Sequence, residues 1–139
     1  MKGYAVILVL LALVIAVLPQ FTDCESQGRH IVLADGREIP MKCHWSGLAE
    51  LGLGFPILVL GGALFFSRQV ETRRALGILG VVLGLIVILI PTVLIGVCAS
   101  IEMFCNSIMK PALILAGSLV MAISLALVLS SIRRGQSNS

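Results

Sequence analysis

Four long, almost uncharged apolar blocks dominate this chain, and no small water-soluble core could absorb them all. They occupy residues 4–20, 47–66, 75–97 and 111–132. A stretch of about 18 or more apolar residues reads as a membrane span, because the hydrocarbon core is roughly 30 Å thick and a helix rises about 1.5 Å per residue. Inside hydrocarbon every backbone amide needs a partner within the segment, so each block is expected to be helical. With 58% hydrophobic and only 12% charged residues, the composition lies far from a soluble domain, in which roughly a quarter are charged. The expected fold is an all-α integral membrane protein: a four-transmembrane-helix bundle forming one membrane domain over residues 1–139. Pro56 and Pro91 fall inside spans and are expected to kink them.

The first block could also be a secretory signal, since Lys2 precedes a short apolar run. Leu18-Pro19-Gln20-Phe21 offers no small-x-small cleavage site, and Thr22-Asp23-Cys24 is no lipobox. It is therefore read as a retained helix. Orientation follows the lysines and arginines of the connecting segments. Lys2, Arg68, Arg73, Arg74, Arg133 and Arg134 fall on one side. Arg29, Arg37, Lys42 and Lys110 fall on the other, diluted by Asp23, Glu25, Asp35, Glu38 and Glu102. The expectation is a multi-pass protein of the cell membrane with both termini cytoplasmic and outer loops at 21–46 and 99–110. A formal net charge of only +3, with its cations scattered, speaks against nucleic acid as a partner.

That topology puts all four cysteines, Cys24, Cys43, Cys98 and Cys105, on the outer side, which is oxidising in most cells. They belong to a repeated pattern. Leu11–Pro19 resembles Leu83–Pro91, and a cysteine follows each proline within two helical turns. Met41-Lys42-Cys43-His44 is then matched by Met103-Phe104-Cys105-Asn106. The unit is helix, proline, cysteine, loop, Met-x-Cys, helix, used twice in the same orientation. A true duplication would relate the halves by an axis along the membrane normal.

In the first outer loop, Asp35-Gly36 between His30–Leu33 and Glu38–Met41 signals a small β-hairpin, with Pro40 confining the second strand to an edge. Disulfides Cys24–Cys43 and Cys98–Cys105 would close each loop on itself. A 20-residue loop closed this way would be stabilised by about 3 kcal/mol on the loop-entropy account. Four cysteines allow three connectivities, and pairing across the loops also fits. Closure within each loop is the expectation.

Bonded cysteines cannot ligate as thiolates, so no metal site and no cofactor are favoured. The alternative is a soft-metal site built from Met41, Cys43, His44, Met103 and Cys105, with Met109 nearby, because thiolate and thioether donors suit Cu(I). Thiol–disulfide exchange is the enzymatic runner-up, but the chain carries no Cys-x-x-Cys. Glu50, about one turn inside the second span, is an intramembrane polar candidate, since carboxylates there are costly. Hydration near the membrane edge or capping of a neighbouring helix would explain it equally well. His30 reads as a solvated loop residue and Trp45 as an interfacial anchor. Gly77, Gly80 and Gly84 in the third span, and Gly52, Gly54, Gly61 and Gly62 in the second, allow close helix approach, within one chain rather than between two. No phosphate loop, Ser-His-Asp set or HExxH occurs, so no catalytic residues are assigned.

At Met41–Glu50 (MKCHWSGLAE), at Ile90–Cys98 (IPTVLIGVC) and at Met103–Asn106 (MFCN), the chain resembles an uncharacterised "domain of unknown function" family of small four-span prokaryotic membrane proteins. The resemblance covers nearly the whole chain, although the hairpin between Cys24 and Cys43 is longer here. It implies a cytoplasmic-membrane protein with Cys24, Cys43, His44, Cys98, Met103 and Cys105 at motif positions, and it implies no activity. The resulting expectation is a non-enzymatic accessory or interaction subunit of a transporter-like membrane complex, presenting disulfide-closed outer loops. Its partners would be the lipid bilayer and other membrane proteins or further copies of itself. A thiol-redox or copper-binding protein is the alternative. A channel is disfavoured by spans without a polar stripe.

Overall fold

In the computed structural model, which describes residues 2–138, the apolar blocks are helices: α1 (Lys2–Thr22), α2 (Lys42–Phe66), α3 (Val70–Leu89) and α4 (Lys110–Ser137). A π-helical turn, Ile90–Leu94, extends α3, and a second, Cys105–Met109, leads into α4. All four segments are long and apolar enough to cross a bilayer. Their outward faces stay apolar, with Leu10, Phe55, Leu115 and Leu129 each more than half exposed. A helix packed in a water-soluble bundle would carry polar side chains there. The helices therefore point to a membrane-embedded protein.

Hydropathy marks where a helix crosses hydrocarbon, and the hydrogen-bond ladder continues beyond. α2 and α3 begin at Lys42 and Val70, ahead of their apolar blocks, and α4 runs on to Ser137. The third span, by contrast, ends sooner than its block. Pro91 has no N–H to give, and the ladder shifts register around it: the amides of Ile95 and Gly96 both reach the Ile90 carbonyl at 3.1 Å. The Thr92 hydroxyl donates to the Ile88 carbonyl at 2.7 Å. Gly96, at φ +76°, then turns the chain out of the helix. Pro56 and Pro19 lie within α2 and α1, which continue past them.

α1 packs mainly on α2 and α3 mainly on α4, while α1–α4 and α2–α3 are lighter contacts of similar extent. The molecule is thus two helical hairpins. Small residues set both seams. A Cβ on Gly54 would lie 2.7 Å from the Ala16 Cβ, and one on Gly61 would lie 2.8 Å from a Val9 methyl. In the second hairpin Gly77, Gly80 and Gly84 abut Val128, Ser124 and Met121. These glycines serve packing within the chain, as expected. Gly52 and Gly62 face open space instead. Leu8, Ile15, Ile57, Val87, Leu113 and Val120 fill the centre.

Between α1 and α2 lies a two-stranded antiparallel ribbon, β1 (Ile31–Val32) and β2 (Glu38–Ile39), with Ile31 opposite Ile39. Gly36, at φ +78°, occupies the left-handed position of its turn. His30 pairs with Glu38 at 3.2 Å across the ribbon and stays solvent-accessible.

Candidate functional site: a four-cysteine centre

The chain leaves α1 through a tight turn. The Asp23 amide bonds back to the Pro19 carbonyl at 3.0 Å, and the Asp23 carboxylate accepts from the Ser26 amide at 2.9 Å. Gly28, at φ +68°, completes the turn, and Cys24 is directed inward, 2% exposed. Cys43 lies in the first turn of α2 and is fully buried. Cys98 sits just past Gly96, in the strand of chain released by the Pro91 turn. Cys105 opens the π-helical turn that leads into α4 and is 1% exposed.

These four side chains converge. The Sγ atoms of Cys24 and Cys105 stand 2.9 Å apart, as do those of Cys43 and Cys98, and Cys24 to Cys98 is 3.7 Å. The sulfurs of Cys24, Cys43 and Cys105 all lie within 4.8 Å of one another. The Met41 thioether adds a fifth sulfur, 3.9 Å from Cys98. No pair is bonded, since a disulfide needs about 2.05 Å, and all four are free thiols. The expected disulfides Cys24–Cys43 and Cys98–Cys105 are therefore corrected: the shortest sulfur contacts run between the loops. Each close pair joins the first cysteine of one half to the second cysteine of the other. Pairing across the two loops, the other arrangement that the sequence allows, is the one these contacts favour.

Burial dominates the electrostatics of the centre. Burial pushes the Cys24 thiol up to about 12, reinforced by its hydrogen bond with Cys105, because a lone thiolate is poorly solvated there. The Cys98 amide donates to the Cys43 sulfur at 3.4 Å. A cavity of about 30 Å³ reaches Cys24 and Cys105 between Asp23, Arg29 and Glu102.

The expected soft-metal set is only partly assembled. Cys43, Cys105 and Met41 belong to the centre, and Cys24 and Cys98 join them. Met103 packs half-buried against the core, and Met109 is fully buried within it. His44 turns aside: its Nδ1 meets Glu25 at 2.6 Å and Asp23 at 3.2 Å. That imidazole–carboxylate group flanks the sulfurs, with its ligating atoms also within 4.8 Å of one another. Adjacent positions alternate between the two sets: Cys24 lies between Asp23 and Glu25, and Cys43 beside His44. Trp45 is 55% exposed next to His44, with ring centroids 6.0 Å apart.

Glu50 lies seven residues, two helical turns, beyond Cys43 on the same face of α2. It is fully buried, and neither carboxyl oxygen has a hydrogen-bond partner among the described residues. It caps no helix end among the described residues.

Residues 4–130 match the family "Domain of unknown function (DUF4418)". This chain belongs to the DUF4418 family. No curated protein and no solved structure matches it. In this DUF4418 protein the sulfur centre gathers all four cysteines.

Proposed function

We propose that this protein binds a single thiophilic metal ion, of the Cu(I) or Zn(II) class, at one end of a membrane-embedded bundle, as a non-enzymatic metal-binding module. The carrying observation is the convergence of four unbonded cysteine sulfurs from both hairpins. Thiolates at about 2.3 Å from a tetrahedral ion sit roughly 3.8 Å from each other, close to the 3.7 Å between Cys24 and Cys98 and wider than the 2.9 Å of the two tight pairs. Small side-chain rotations would equalise them. The neighbouring Met41 thioether favours the softer ion. The proton-holding tendency of Cys24 makes uptake a proton-for-metal exchange. Once bound, an ion also shields thiols that face an oxidising compartment. The lysine and arginine distribution orients this end outward and the termini toward the cytoplasm. Assembly with a partner membrane protein is compatible with such a module.

The test is titration of the full chain, purified in detergent under reducing, oxygen-free conditions. Cu(I) is offered against a colorimetric chelator, and Co(II) reports tetrahedral sulfur coordination by its charge-transfer absorption. One ion per chain is expected, with binding lost in both Cys24→Ser and Cys105→Ser. A fully reduced protein that takes up no ion would defeat the proposal. So would mass spectrometry of native membranes finding stable Cys24–Cys105 and Cys43–Cys98 disulfides.

A further inference from the structure

At the opposite end of the bundle from the sulfurs lies a cavity of about 430 Å³, walled by Lys2, Arg68 and Arg73 beside Phe65, Phe66 and Leu64. No carboxylate is among its described lining residues. Lys2 stands with its ammonium 5.6 Å from the Phe65 ring centroid. The Arg73 guanidinium is fixed by two bonds to the Ser67 carbonyl, at 2.8 and 3.2 Å, so its charge forms a rigid wall. Beside this cavity runs a wholly apolar groove of about 220 Å³ along the α1–α2 seam, lined by Val6, Val9, Leu10, Gly61 and Gly62. The two share Ala5, Phe65 and Phe66. Basic and apolar spaces therefore adjoin, with the groove reaching along α1 to Leu10 and along α2 to Gly61.

We propose that this paired space binds one anionic phospholipid, its phosphate in the basic cavity and an acyl chain in the α1–α2 groove. Charge complementarity selects the headgroup: basic pockets at the edges of membrane helices hold anionic lipid heads. A zwitterionic lipid brings its own cation toward three positive side chains. The groove selects an amphiphile over a free anion. Its depth comes from Gly62, where an added Cβ would meet nothing within 4 Å, so a larger side chain there fills the groove without disturbing the helix seam. Nothing in this site touches the sulfur centre, so the lipid and metal readings stand or fall separately.

Native mass spectrometry of the full chain, released from detergent with phosphatidylglycerol or phosphatidylcholine of the same acyl composition, reads the proposal directly. Phosphatidylglycerol is expected to be retained at about tenfold lower concentration. That preference should disappear in the double variant Lys2→Gln/Arg68→Gln, both of whose side chains are exposed. Gly62→Leu, checked for unchanged helicity, should weaken retention of both lipids. Equal retention of the two lipids by the native chain would overturn the proposal. Competition by inorganic phosphate together with an unaffected Gly62→Leu variant would reduce the site to a bare anion pocket and overturn it as well.

Discussion

Gly84→Ala adds one methyl group at the tightest backbone crossing of the second hairpin. The new Cβ would stand 2.8 Å from the Met121 Cγ, 2.9 Å from the Gly117 carbonyl oxygen and 3.1 Å from the Met121 amide. Ordinary contacts of this kind begin near 3.4 Å. The methionine can swing aside, but the carbonyl and amide belong to α4 itself, so the helices must separate by about half an ångström along the seam. Overpacking of this sort costs about 1–3 kcal/mol. Alanine's better helix propensity, about 1 kcal/mol in soluble hosts, pulls the other way and must be subtracted. Gly52→Ala supplies the subtraction, since a Cβ there meets nothing within 4 Å. Measured by reversible SDS-driven unfolding in mixed micelles, Gly84→Ala should be less stable than Gly52→Ala by about 1–3 kcal/mol. That is roughly 5- to 150-fold in the unfolding constant. Two variants agreeing within about 0.5 kcal/mol, the ordinary scatter of surface substitutions, would mean that the α3–α4 approach is not as close as described.

Glu50→Met replaces two unpartnered buried oxygens by an apolar side chain of similar size. Stability in the same unfolding assay should rise by about 1–3 kcal/mol, the usual cost of an unsatisfied buried polar group, and an unchanged or lower value would show that Glu50 has a partner. The raised Cys24 pKa gives the metal-free protein a pH signature. A thiol whose folded pKa lies near 12, against an ordinary 9.0, contributes stability in full below pH 9 and loses it between about pH 9 and 12. Thermal melts of the reduced, metal-free chain should therefore fall across that interval, while the metal-loaded chain stays level because its thiols are already deprotonated. Parallel curves for the two forms would contradict thiolate ligation.

Sequence and structure agree best where the cause is local. Block length and apolarity define four helices, and Asp35-Gly36 defines the ribbon, because both depend on neighbours in the chain. Helix ends were less legible: Lys42–Ser46 is polar enough to look like loop, yet nothing in it breaks a helix. Pro91 was legible as a disturbance, but the π turn it produces depends on where the Ile90 carbonyl and the Thr92 hydroxyl find partners. The cysteine centre needed tertiary information. Loop-closure entropy favours bonding Cys24 to Cys43, its near neighbour, whereas the packing of two like hairpins brings Cys105 closer. Pairing across the loops was open in the sequence, because four cysteines allow three connectivities and spacing along the chain does not choose among them. Glu50 was legible too, at a two-turn spacing from Cys43 that puts both on one helix face.

The light contact between the two hairpins has a mechanical meaning. Each hairpin is sewn along its length by small residues, but little beyond side-chain packing joins one to the other, and the sulfurs meet at one end only. Whatever ties those sulfurs together works as a rivet through the tips of two stiff blades. With the rivet in place, one end of the molecule is pinned, and any relative tilt of the halves must open at the far end, where the basic cavity lies.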